Sequence, residues 1–197
     1  MSGTISPQSA QRTQRGAAVA GSAAVRRTLA ILGGTLLVAF AAQVALPLPG
    51  TPVPFTLQVP AVLLVGAMLG PARGAASLAL YLALGAAGLP VFAAGGVAGA
   101  ARLFGPTGGY LLAYPAAAAL TGQLTGSGRS WLGLGAALLA GLAVVYLGGV
   151  AQLAVLTGDP DRAVRLGALP FLPFDLVKLL LVGLVLRRFA PTFRARL

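Results

Sequence analysis

The chain contains no cysteine, no histidine and only three acidic residues among its 197. Without thiols there is no disulfide, no thiolate nucleophile and no lipidated cysteine, and without imidazoles there is no His base and no His-ligated metal. Three carboxylates leave few groups for acid-base work, so neither an enzyme nor a metal or other cofactor is expected. The single lysine, Lys178, lies between Val177 and Leu179. The Gly-Lys-Ser/Thr of a phosphate-binding loop is therefore missing, and the chain is not its own ATPase of that type. Charge as a whole is scarce, at 9% of residues, where soluble domains carry about 25%.

Apolar residues fill the space, at 57% of the chain, with a mean hydropathy of +0.90. Runs suited to crossing a bilayer cover residues 29–46, 57–69, 74–88, 108–124, 131–156 and 170–189,. They predict an all-α integral membrane protein, a six-transmembrane-helix bundle with no additional soluble domain. The second and third runs are short for a span of about 20 residues, so their ends extend into adjoining segments or fall short of one surface. Residues 26–190 form the membrane domain in this reading, and residues 191–197 a basic cytoplasmic tail. Residues 1–25, rich in Ser, Gln, Ala and Gly, read as a disordered cytoplasmic tail; a cleaved signal peptide is the less favoured alternative, because the segment after Arg15 lacks leucine and ends on Arg26 and Arg27,.

The net charge of +11 comes from arginines at segment ends. Arg12, Arg15, Arg26, Arg27, Arg73, Arg129, Arg187, Arg188, Arg194 and Arg196 fall on one side of a six-span topology, and Arg102, Arg162 and Arg165 on the other. The positive-inside rule places both termini in the cytoplasm. Such a distribution is a topology signal and not a nucleic-acid surface. The inner turns are short, basic and glycine-containing, whereas the outer connections Leu46 to Phe55, Leu89 to Gly109 and Leu169 to Phe174 carry Pro and Phe. Stiff apolar loops of this kind suit a lid over a small, largely apolar ligand.

Asp175 and Lys178 stand one helical turn apart near the start of the last run. Each ionisable group costs roughly 2.5–3.5 kcal/mol near the bilayer centre, so such a pair faces a cavity or a ligand, or forms an intrahelical ion pair near the interface. Glycines at 95, 96 and 99 and at 105, 108 and 109 precede the fourth run; its N-terminal N–H groups suit a single ligand carboxylate, although tight turns or helix contacts are the commoner use of glycine. On the first run Ala30, Gly34, Ala41 and Ala45 repeat small residues at helical spacing, a pattern that serves a partner interface or packing within the bundle.

Four motifs carry a resemblance: Pro52-Val-Pro-Phe-Thr-Leu-Gln58, Gly88-Leu-Pro-Val-Phe92, Gly105-Pro-Thr-Gly-Gly-Tyr110 and Leu172-Pro-Phe-Asp-Leu-Val-Lys178. In this order and spacing, from about Leu29 to the C-terminal arginines, the chain resembles the BioY family, the biotin-specific substrate-binding S components of energy-coupling factor (ECF) transporters. The resemblance implies a six-helix membrane subunit that binds biotin from outside with high affinity. It works with a transmembrane coupling protein and two cytoplasmic ATPase subunits, and the small-residue stripe of the first helix docks on the coupling protein. It also implies Asp175 and Lys178 at the ureido end of biotin, Phe55, Phe92 and Tyr110 around the ring, and Gln58 and Arg102 as further polar contacts. The sequence departs from the family at Phe174, where glycine is usual, and at Val97 and Leu111, where some members carry a polar residue and an arginine. Arg102 or the N–H groups of Gly108 and Gly109 are the substitutes for holding the ligand carboxylate.

Overall fold

The computed structural model describes residues 7–126 and 130–194. Seven α-helices follow one another as α1 (Pro7–Gln43), α2 (Gln58–Leu69), α3 (Pro71–Ala86), α4 (Gly108–Gly126), α5 (Trp131–Thr157), α6 (Pro160–Gly167) and α7 (Leu172–Arg194), with a 3-10 helix at Gly99–Phe104. Two short strands, β1 (Ala45–Leu46) and β2 (Phe55–Thr56), pair antiparallel so that Ala45 faces Thr56 and Leu46 faces Phe55.

Each apolar run read from the sequence corresponds to one helix, the first running on past the end of α1 into β1. Among the described residues, two helical segments are long and apolar enough to cross a bilayer unaided, Ala23–Gln43 within α1 and Trp131–Thr157. Pro160–Gly167 and Leu172–Phe189, bent by 50° at a short break, pass the same test together. With 12 and 16 residues, α2 and α3 remain shorter than the roughly 20 residues of a full span, in keeping with their sequence.

Two features differ from the sequence reading. Helix α1 begins at Pro7, so the segment expected to be a disordered tail is helical from that residue on. Its many alanines have the highest helix propensity, and no proline interrupts the helix after Pro7,. Residues 1–6, Arg129 in the turn before α5, and Arg196 at the C-terminal end lie outside the described residues. The second difference is α6, which is too short and polar to register as an apolar run. Its start is nonetheless written locally: Asp159 caps it by accepting from Arg162 N at 3.1 Å, and Pro160 occupies the first turn, where a missing N–H costs nothing,.

Helix α4 is central, packing on α5, α3 and α2. Its approach to α2 depends on small residues. A methyl group on Gly66 would collide with the Ala118 backbone, and one on Gly122 with the backbones of Gly66 and Gly70. Close approach through glycine and alanine replaces hydrophobic driving force where lipid is as apolar as the side chains.

The stripe on α1 serves the same purpose. Gly34 is packed against Ser77, Val65 and Leu69 of α2 and α3, and Ala30 and Ala41 pack on the buried core, while Ala45 lies in β1. Part of this stripe is thus used within the bundle, where Gly34 lets α1 meet α2 and α3 closely. Leu29, Leu32, Leu36, Leu37 and Phe40 point outward instead.

The Pro- and Phe-rich connections gather at one end. Thr51 Oγ1 donates to Leu166 O at 2.7 Å, tying the loop after β1 to α6, and Gln43 Nε2 lies 3.4 Å from the carbonyls of Pro90 and Phe92. Arg187 stacks on Trp131, 4.7 Å from the ring, where the start of α5 meets the later part of α7.

Gly66→Ala is expected to destabilise the purified protein by about 1–3 kcal/mol through overpacking. Gly33→Ala, on an open face of α1 with nothing within 4 Å, should leave the thermal unfolding midpoint unchanged or slightly raised.

Candidate ligand-binding site

The site is built on the first turn of α7. The chain breaks between α6 and α7, and the helix restarts with Pro173 in its first turn, where proline removes no helical hydrogen bond,. Asp175 N donates to Phe171 O at 2.9 Å, which sets the carboxylate at the positive end of the helix. Asp175 is only 4% exposed.

Three elements, α5, α7 and β2, converge on that carboxylate and its partner. Lys178 Nζ donates to Asp175 Oδ1 at 2.9 Å. Tyr146, from the middle of α5, donates its hydroxyl to Asp175 Oδ2 at 2.7 Å. Lys178 Nζ also donates to the backbone carbonyl of Thr56 at 2.9 Å and sits 3.5 Å from the centre of the Phe55 ring. The short pairing of β2 with β1 places both residues there. Phe55 in turn meets Phe174 edge to face at 5.5 Å.

This network borders a cavity enclosing about 600 Å³ of space, its open mouth included. Its wall is mostly apolar and aromatic, with Val53, Val59, Phe92, Leu111, Tyr114, Val145 and Phe171 around the polar groups. Gln58 Nε2 donates to Tyr81 Oη at 2.7 Å, and the Tyr81 ring lies edge-on to Phe92 at 5.4 Å. Tyr110 donates its hydroxyl to Gly167 O at 2.8 Å, which ties α4 to the end of α6. Arg102, in the 3-10 helix, donates from Nε to Thr107 Oγ1 at 3.2 Å.

Of the residues singled out in the sequence, Gln58, Phe92, Arg102, Tyr110, Asp175 and Lys178 line this one cavity, and Phe55 covers Lys178 from the side. Gly108 and Gly109 do not line it. Gly108 N donates to Gly105 O at 3.0 Å, and added methyl groups would strike Leu103 O at position 108 and Gly148 O at position 109. Both glycines serve helix contact, since α4 approaches the 3-10 helix and α5 too closely for a side chain. Phe174 is turned outward against Phe55 and does not form the cavity floor, while Leu111 lines the wall and Val97 is exposed.

Sequence reasoning missed Tyr146, Thr56, Thr107 and Tyr114. Tyr146 had a signal, a phenol in the middle of an otherwise apolar span. Thr56 acts through its backbone carbonyl, which no side-chain pattern announces.

A multi-pass helical bundle with a small apolar cavity at its loop-rich end, floored by a hydrogen-bonded ion pair, defines a membrane protein of the solute-binding class. The family model described as the BioY family matches residues 11–195. The chain is 41% identical over 154 residues to a protein named biotin transporter BioY from Thermotoga maritima, covering 78% of this chain and 89% of that one. It is 38% identical over 177 residues to the biotin transporter BioY of Rhodobacter capsulatus, covering 83% and 92%. Among solved structures, it is similar to the S-component for biotin from an ECF-type ABC transporter, with a TM-score of 0.77 and 28% identity over 85% of this chain and 92% of that one. The chain belongs to the BioY family.

Removing one member of a buried pair leaves an uncompensated charge. Lys178→Met alone is expected to cost about 3–5 kcal/mol, and Lys178→Met combined with Asp175→Asn distinctly less, as measured by unfolding of the purified variants in detergent.

Proposed function

We propose that this chain is the biotin-capturing subunit of an ATP-driven vitamin uptake transporter, with the cavity beside Asp175 and Lys178 as its ligand site. The observation that carries this reading is the polar floor of an otherwise apolar cavity. Biotin offers a ureido group with two N–H donors and one carbonyl acceptor, an apolar fused ring and a carboxylate tail. Asp175 already accepts from Lys178 and Tyr146, and a carboxylate has about four acceptor positions, so two remain for ureido N–H groups. Lys178 has committed its donors to Asp175, to Thr56 O and toward the Phe55 ring. To reach the ureido carbonyl it exchanges one of the last two contacts, which couples ligand entry to the β2 segment.

Phe92 and Tyr110 provide the walls for the ring, and Phe55 covers the ion pair. Gln58 contributes a polar group from the first turn of α2. The relatives' names and the similarity to an S-component support this assignment of ligand and role, for a chain that works as a transporter subunit and not as an enzyme.

Because the chain lacks a phosphate-binding loop, energy comes from a transmembrane coupling protein and two cytoplasmic ATPase subunits. The loop-rich end faces outward and both termini face the cytoplasm, in line with the arginine distribution. Residues 26–190 act as the membrane unit, flanked by the N-terminal and C-terminal segments.

Titration calorimetry of the purified, ligand-depleted protein should give saturable biotin binding at submicromolar affinity. Asp175→Asn should weaken it by about tenfold or more, since hydrogen bonds to charged groups contribute about 1.5–3 kcal/mol. A folded, monodisperse protein that binds no biotin would remove this reading.

A further inference from the structure

Arg102 is a buried cation whose partner is missing. It is 7% exposed, and its one hydrogen bond among the described residues runs from Nε to the neutral hydroxyl of Thr107. The chain has three acidic residues. Asp175 is held by Lys178 and Tyr146, Asp159 caps α6, and Asp161 lies exposed in the first turn of the same helix. No carboxylate stands within ion-pair distance of Arg102 among the described residues. A guanidinium withdrawn from water without a counter-ion is destabilising unless something else supplies the charge.

Its position shows from where that charge comes. Val53, Pro54, Arg102 and Thr107 line both the inner cavity and a second one nearer the loops, which encloses about 1050 Å³ with its open mouth. They form the neck between the two, and among the described residues Arg102 is the only ionisable side chain lining the outer cavity. Across the neck the guanidinium lies on the bare backbone of the glycine-rich loop. A methyl group on Gly96 would fall on Arg102 Nη1 and Cζ. Gly96 is not among the glycines with positive φ, so its lack of a side chain is required by space and not by backbone conformation.

We infer that Arg102 is the group that recognises a ligand carboxylate at the neck, and that Gly96 and Thr107 are positioning residues which hold its guanidinium there. Thr107 fixes the Nε edge, and the absence of a Cβ at Gly96 leaves the Nη edge room to lie flat. The free Nη donors then meet a carboxylate with charge-assisted hydrogen bonds, which planar guanidinium geometry favours. The inference deepens the biotin reading and rests on it: the ureido end sits at Asp175 and Lys178, and the acid end of the tail meets Arg102. It also makes charge a determinant of specificity. A neutral tail of the same shape would leave the guanidinium buried and unpaired.

The test compares biotin with its primary amide, which is nearly isosteric and uncharged, by titration calorimetry on the full chain. The unaltered protein should prefer the acid by about tenfold to a hundredfold, the range for hydrogen bonds to charged groups. Arg102→Gln should bring the acid-to-amide ratio close to one. Gly96→Ala should reduce the ratio in the same direction, because the displaced group is the flexible end of a side chain and the fold survives. Gly105→Ala, whose methyl group would meet nothing closer than 3.6 Å, is the control and should keep the ratio. A ratio near one in the unaltered protein, or an unchanged ratio in Arg102→Gln, would overturn the inference while leaving biotin binding intact. Binding of neither compound would overturn the biotin reading and this inference with it.

Discussion

An ammonium and a carboxylate withdrawn from water lose solvation worth several kcal/mol each, and the contact between Lys178 and Asp175 only offsets that loss if the remaining donors and acceptors are also met. In this chain they are met from three directions. Tyr146 comes from α5, the Thr56 carbonyl from β2, and the helix end of α7 lies beneath the carboxylate. Each of those groups is on a different element, so the pair fixes where α5, α7 and the loop before α2 stand relative to one another. An aromatic ring over Lys178 completes the enclosure. The same pair that organises the loop-rich end of the bundle also leaves two acceptor positions on Asp175 open toward the cavity.

The rest of the fold divides between close packing and enclosed space. Where α2, α3 and α4 cross, Gly66, Gly74, Gly122 and Ala118 bring backbones into contact. Toward the loops, the larger rings of Tyr110 and Tyr114 line the cavity, and Tyr81 meets the cavity-lining Phe92 edge to face. Small residues for contact and large amphipathic ones around the cavity thus place the site at one end without any change of secondary structure. Hydrogen bonds from Tyr110 to Gly167 and from Thr51 to Leu166 tie the covering loops to α6, and α6 is joined to α7 through the bend that positions Asp175.

Much of this was legible in the residue pattern. The six apolar runs each correspond to a helix, because lipid demands continuous apolar helices and composition records that demand. The ion pair was legible because charge is so scarce in the chain. The stripe Ala30, Gly34, Ala41 and Ala45 was legible only as a contact pattern: small residues at helical spacing mark a close approach but do not say with what, and Gly34 meets α2 and α3. Gly108 and Gly109 were ambiguous in the same way, since glycines that expose N–H groups to an anion and glycines that admit a neighbouring backbone look alike in sequence. The role of Thr56 was invisible because a backbone carbonyl oxygen carries no side-chain signature.

The central claim is that the carboxylate and ammonium on the first turns of α7 receive the ureido group. A crystal structure of the chain with biotin tests it most directly. It should show a ureido N–H within about 2.7–3.2 Å of an Asp175 oxygen, the ureido carbonyl toward Lys178, and the Lys178 contact to Thr56 O or to the Phe55 ring lengthened. Biotin bound elsewhere, with Asp175, Lys178, Tyr146 and Thr56 still joined only to one another, would contradict it.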